Sequence, residues 1–192
     1  MRTIPSPYTG KSPESAYETL RTIVLVLLAA FLVRSFIAQP FVVQGRSMEP
    51  TFHHQDYLVV DKITYRLKNP RRGDIIVFKS PEEPTQNYIK RIIGLPGETV
   101  IVKNETITIN GQTLNEPYIE TITAQDKLTR SPSTFLMEQT LNENEYFVMG
   151  DNRDHSSDSR RWGPLPEQNI LGRAMVTVLP FSDFELLKTP DY

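Results

Sequence analysis

The chain has no cysteine, and that one absence removes disulfide scaffolds, thiolate metal sites and a cysteine nucleophile together. It is compatible with an oxidising compartment without requiring one. Histidine is scarce, with three residues, and no HExxH or similar ligand spacing occurs, so no metal site is expected. No basic block stands out and the formal net charge is −2, which gives no reason to expect a nucleic-acid partner. The acidic stretch from Asp151 to Asp158 lacks the glycine and closing glutamate of an EF-hand, so it does not read as a calcium loop. No internal repeat is evident.

What is present begins with one apolar run. Residues 1–19 are rich in Pro, Ser, Thr and Gly toward their start and read as a disordered tail. Residues 20–38 are largely apolar, with charge only at Arg21 and Arg34, both able to snorkel toward headgroups. A helix of those 19 residues extends about 28 Å, near the hydrocarbon thickness of a bilayer. Cleavage after Ala38 or Ala30 would place Phe36 or Leu28 at the −3 position, which fits no small-x-small leader-cleavage site. The run therefore predicts an uncleaved transmembrane helix. The expected orientation is a cytoplasmic N-terminus with the remainder, 39–192, outside, although Arg34 and Arg46 weaken the charge bias.

After Pro40 the pattern changes to short β-branched runs. Strands are predicted over Tyr57–Lys62, Asp74–Lys79, Asn87–Ile93, Thr99–Lys103, Thr106–Ile109, Tyr146–Met149 and Arg173–Leu179. Asn110-Gly111 between two such runs is a two-residue hairpin signal. Residues 120–143 have little periodicity and read as a long loop. Fifteen prolines and closely spaced strands leave no room for helical crossovers, so the domain is mainly β.

Three segments carry possible chemistry. Gly45-Arg46-Ser47-Met48-Glu49-Pro50 places a serine in a turn just after the apolar run; Gly45 permits an unusual backbone conformation that exposes the hydroxyl and nearby N–H groups. A serine needs a base. His53 and His54 lie close in sequence to Ser47, and His155 sits among Arg153, Asp154 and Asp158, so a histidine–aspartate triad stays open. In Tyr88-Ile89-Lys90-Arg91-Ile92-Ile93, alternation puts Lys90 and Arg91 on opposite faces. A guanidinium does not deprotonate, whereas a lysine buried among apolar groups loses its charge readily, so Lys90 is the better base. Gly150–Arg161 is dense in charge and hydroxyls. Its functional reading is a hydroxyl orienting the lysine and an aspartate–arginine pair bracing the loop.

In this order the motifs resemble type I signal peptidases, the bacterial-type leader peptidases with a Ser-Lys dyad. The likeness runs from the apolar run through Pro180, including Asp74-Ile75-Ile76-Val77-Phe78 and the stretch from Tyr88 to Glu98. The resemblance implies a mainly β, signal-peptidase/LexA-like fold with one N-terminal transmembrane helix and a β-rich insertion over residues 98–144. It implies Ser47 as nucleophile and Lys90 as general base, with Ser156 bonding the lysine, Asp158 and Arg160 forming a salt bridge, and Tyr88 supporting. Some relatives carry a serine two positions before the nucleophile; here Gly45 stands there, leaving the Ser47 backbone N–H as the main oxyanion donor. The implied reaction is removal of signal peptides from exported preproteins after Ala-x-Ala-like sites, with no metal or organic cofactor. Implied partners are preprotein signal peptides, the lipid bilayer of a plasma or thylakoid membrane, and a nearby secretory translocon. A self-cleaving repressor-type protease and a catalytically dead β module are the competing readings.

Overall fold

The structure is a computed structural model that describes residues 13–32, 34, 37–103, 106–119, 136–179 and 185–186. Contacts divide the chain into one unit up to Ile37 and another from Ala38 onward. The first unit is a helix, α1, over Pro13–Leu32. It begins inside the stretch read as a disordered tail, opened by a proline whose fixed φ suits a first helical position. Among the described residues no helix is long and apolar enough to cross a membrane. Within the predicted span 20–38, residues 33, 35 and 36 lie outside the described residues.

The second unit is mainly β, as its strand pattern predicts. Its strands are β1 (Ala38–Val42), β2 (Tyr57–Asp61), β3 (Ile75–Lys79), β4 (Asn87–Gly94), β5 (Thr99–Lys103), β6 (Thr106–Ile109), β7 (Gln112–Thr113), β8 (Leu136–Thr140), β9 (Glu145–Met149), β10 (Leu165–Pro166), β11 (Ile170–Leu179) and β12 (Glu185–Leu186). Two short helices interrupt them, α2 (Thr64–Leu67) and α3 (Ser159–Trp162). The larger sheet runs β1-β2-β11-β3-β4-β9-β10, with β12 on β11; the smaller runs β7-β6-β5-β8, and the pairings are antiparallel.

Strand alternation distributes the core. From β3, Ile75 and Val77 join Met48, Phe52, Leu58 and Val60 in one cluster, while Ile76 and Phe78 join Ile92, Tyr146, Val148 and Leu165 in another. A third cluster sets Val100, Val102, Ile107 and Ile109 of the small sheet against Ile93, Phe147 and Met149. Each fully buried large side chain contributes about 1.5–3 kcal/mol of transfer free energy. The predicted hairpin forms at Asn110-Gly111, both at positive φ.

Four strands escape the sequence reading: the two-residue β10 and β12, too short to show a period, and the longer β1 and β8. β1 contains Pro40, which cannot donate to a ladder but is tolerated here because β1 pairs only with β2, at the sheet's margin. β8 falls in the segment read as a loop, because Leu136–Thr140 mixes polar and apolar residues without clean alternation; pairing to β5 fixes it.

Candidate active site

The loop that carries Ser47 follows β1. Gly45 has φ +92°, a left-handed conformation a larger residue would adopt under strain, and its N–H donates to His54 Nδ1 at 3.2 Å. The chain then turns, with Glu49 N–H on Arg46 O at 3.3 Å and Phe52 N–H on Met48 O at 2.9 Å. Met48 and Phe52 are buried in the core beneath, which pins the turn and leaves Ser47 half-buried at its crest. The adjoining peptide Glu49-Pro50 is cis.

Opposite the turn lies β4. Lys90 donates from Nζ to Ser47 Oγ at 2.8 Å and to the Ile89 carbonyl at 2.9 Å. Only 4% of the residue is exposed. Burial is the largest influence on the amine and pushes its pKa down to about 8; Asp158 and Asp151 pull it up and Arg160 pushes it down. The Tyr88 ring, whose centroid is 5.4 Å from Nζ, also favours the charged form, and desolvation outweighs it. At neutral pH roughly a tenth of the lysine is then an uncharged amine able to accept a proton.

The bonds made by His54 and His155 lead away from the Ser47 hydroxyl. His54 accepts from Gly45, and His155 pairs with Asn152 Oδ1 at 3.2 Å. Lys90 occupies the position beside the hydroxyl.

The loop after β9 closes the third side. Gly150 is so tightly placed that a Cβ there would collide with Ser156 and the Ser47 carbonyl. Asn152 N–H donates to that same carbonyl at 3.1 Å. Asp158 is fully buried and accepts from Gly150 N–H at 3.1 Å, from Arg160 Nε at 2.8 Å and from Arg160 Nη2 at 2.8 Å. Burial alone would raise its carboxyl, but Arg160 and these hydrogen bonds win and hold it below the ordinary carboxylate value. Ser156 does not bond Lys90 here, because Nζ is turned to Ser47 and Ile89. Its hydroxyl is buried without a hydrogen-bond partner, though close enough to Asp158 to help lower that carboxyl.

Sequence reasoning missed the partner of Arg91. Its side chain meets Asp151 at 2.6 Å, with both groups buried. The signal was there: alternation places Arg91 opposite Lys90 on an inner strand, and a buried guanidinium requires a carboxylate.

Beside the dyad is a cleft of about 550 Å³, lined by Phe41, Val42, Leu58, Val77 and Ile89 on its apolar walls and by Ser47, Lys90, Asn87 and Ser157. β4 pairs with β3 along Asn87–Arg91, but with β9 only from Arg91 onward. The edge of Asn87–Lys90 that faces away from β3 therefore has no strand partner among the described residues.

Residues 16–179 match the family described as signal peptidase, peptidase S26. A signal peptidase I from Leptolyngbya laminosa is 39% identical over 197 residues, covering 98% of this chain and 92% of its own. A signal peptidase I from Bacillus licheniformis is 35% identical over 175 residues, covering 88% of this chain and 91% of its own. A crystal structure of a signal peptidase I from Enterococcus faecalis V583 aligns at 39% identity over 55% of this chain and 97% of its own, with a TM-score of 0.47. With a family match over residues 16–179 and relatives 35–39% identical over most of the chain, the chain belongs to the signal peptidase family, peptidase S26, a family of serine proteases.

Proposed function

We propose that the chain is a membrane-tethered serine endopeptidase that removes N-terminal signal peptides from preproteins after small-x-small sites, with Ser47 as nucleophile and Lys90 as its general base. The observation that carries this reading is the 2.8 Å contact between Ser47 Oγ and a buried Lys90 Nζ whose pKa is depressed to about 8. A substrate strand enters the cleft against the unpaired edge of β4, which supplies backbone hydrogen bonds without regard to side chain. The apolar walls of the cleft favour small apolar residues next to the scissile bond.

Neutral Lys90 takes the Ser47 hydroxyl proton as Oγ attacks the scissile carbonyl carbon. Charge develops on the carbonyl oxygen, where the Ser47 backbone N–H is the donor, the Gly45 conformation shaping the turn around it. The ammonium of Lys90 then returns its proton to the leaving amine, which departs as the new N-terminus of the mature protein. Lys90, neutral again, takes a proton from the water that attacks the acyl-enzyme ester, and Oγ is reprotonated as the signal peptide leaves. Ser156, Asp158 and Arg160 hold the third loop against this pair, and Tyr88 backs the lysine.

Tethering is part of the reading. From Ile23 to Leu28 every large side chain of α1 is at least 50% exposed, and Phe31 is 63% exposed, an arrangement suited to lipid. Residues 20–38 serve as the anchor, with a cytoplasmic N-terminus and the catalytic unit outside a plasma or thylakoid membrane, beside the translocon that delivers substrate. Confinement to one surface raises the effective concentration of enzyme and substrate.

The test is incubation of the detergent-solubilised chain with a preprotein, with N-terminal sequencing of the product. Cleavage after a small-x-small site, lost in both Ser47→Ala and Lys90→Met, is expected. Full activity in Lys90→Met would remove the base.

A further inference from the structure

A second ionic web runs behind the dyad, and the chemistry above does not use it. Arg91 donates to Asp151 from Nε at 2.9 Å and Nη2 at 2.6 Å. Asp151 also accepts from Thr51 Oγ1 at 2.5 Å, which ties the strand carrying Lys90 to the loop carrying Ser47. The Arg91 guanidinium in turn lies over the Tyr118 ring, 3.9 Å from Cζ to centroid. Tyr118 donates its hydroxyl to Glu116 Oε1 at 2.6 Å, and Glu116 receives both terminal nitrogens of Arg153, Nη1 at 3.1 Å. Arg153 Nε donates to the Gly150 carbonyl at 3.1 Å, at the residue wedged against Ser47 and Ser156.

Glu116 and Tyr118 belong to none of the three loops and strands that hold the dyad. They lie in the segment that leaves β7, and so reach the site from the small sheet. Solvent-exposed ion pairs contribute little, but this pair is only 10% and 11% exposed and is bidentate, the geometry that fixes orientation as well as adding energy. Its two arms end on residues adjacent in sequence or space to the catalytic pair: Arg91 follows Lys90, and Gly150 touches Ser47.

We propose that Glu116 and Tyr118 are positioning residues for signal-peptide cleavage, clamping Arg153 and Arg91 so that the small sheet sets the Ser47–Lys90 geometry. The proposal rests on the Ser47–Lys90 reading. Neither residue touches the reacting atoms, so their removal lowers the rate of chemistry and leaves substrate binding alone. A displacement of about 1 Å in such a pair costs on the order of 100-fold in rate.

The experiment measures kcat, KM and melting temperature of the full-length protein in detergent with a preprotein, for wild type, Glu116→Ala, Glu116→Gln and Tyr118→Phe. Glu116→Ala is expected to lose about 10- to 100-fold in kcat with KM within about twofold. Glu116→Gln, which keeps one acceptor oxygen for Arg153, recovers part of that loss. A Glu116→Ala protein that melts earlier yet turns over at the wild-type rate well below its melting temperature would overturn the proposal and make the clamp purely structural. Should Glu116→Ala not fold, Tyr118→Phe decides by the same readout: it removes one hydroxyl and keeps the ring on Arg91, and a lowered kcat supports the clamp while an unchanged kcat refutes it. Wild-type cleavage that Ser47→Ala abolishes, together with unaffected clamp variants, sinks the clamp alone; no wild-type cleavage sinks both readings.

Discussion

Lys90 is buried where a cation is costly, and its depressed pKa measures that cost. Its ordinary value is 10.5 and its folded value is about 8. Between those two pH values the unfolded chain holds one more proton than the folded one, so stability rises with pH across that window. Below about pH 8 the whole penalty is present, on the order of 3 kcal/mol at about 1.4 kcal/mol per unit. Replacing Lys90 by methionine, similar in length and uncharged, is therefore expected to stabilise the protein at pH 7 by up to about 3 kcal/mol. That gain closes as pH rises from about 8 to 10.5. Denaturant unfolding of both proteins at pH 7 and at high pH measures it. A Lys90→Met protein less stable than wild type at pH 7 would show that the amine's hydrogen bonds to Ser47 and Ile89 outweigh its desolvation.

At the scale of elements, the loop between β9 and α3 packs against both the segment that carries Ser47 and the segment that carries Lys90. Asp158 caps α3 through Arg160 N–H at 3.2 Å and also holds the Gly150 N–H and the Arg160 guanidinium. A carboxyl held below its ordinary 3.8 contributes stability that is present above that pH and is lost as pH falls through the folded value. Asp158→Asn is expected to cost about 3 kcal/mol at pH 7, because a buried partner is removed. The difference from wild type shrinks as the pH is brought below 3.8, since protonation weakens the wild-type pair as well. Thermal melts at neutral and acid pH test both statements; a constant difference across that range would contradict them. The Asp158–Arg160 pair was legible because two positions along one loop suffice to form it. The Arg91–Asp151 pair joins residues 60 positions apart, and only the pairing of β4 with β9 brings them together. The same limit hid Glu116 and Tyr118, which reach the site from the far side of a hairpin.

Over the whole molecule, the strands with β-branched alternation and the Asn110-Gly111 turn were readable, since period-two patterning and turn chemistry are local properties. Sheet order was not, since it depends on which apolar faces find one another. β11, late in the chain, lies between β2 and β3 and so joins the strand after the Ser47 loop to the strand that pairs with β4, which carries Lys90. Through that arrangement two residues 43 positions apart come to share a proton. The rate of the first turnover of a preprotein by the intact protein in lipid vesicles, followed against pH, tests this most directly. The rate is expected to climb tenfold per pH unit and to level off near about pH 8, where the buried amine loses its charge. A rate independent of pH through that region, or one still climbing tenfold per unit near 10.5, would contradict it.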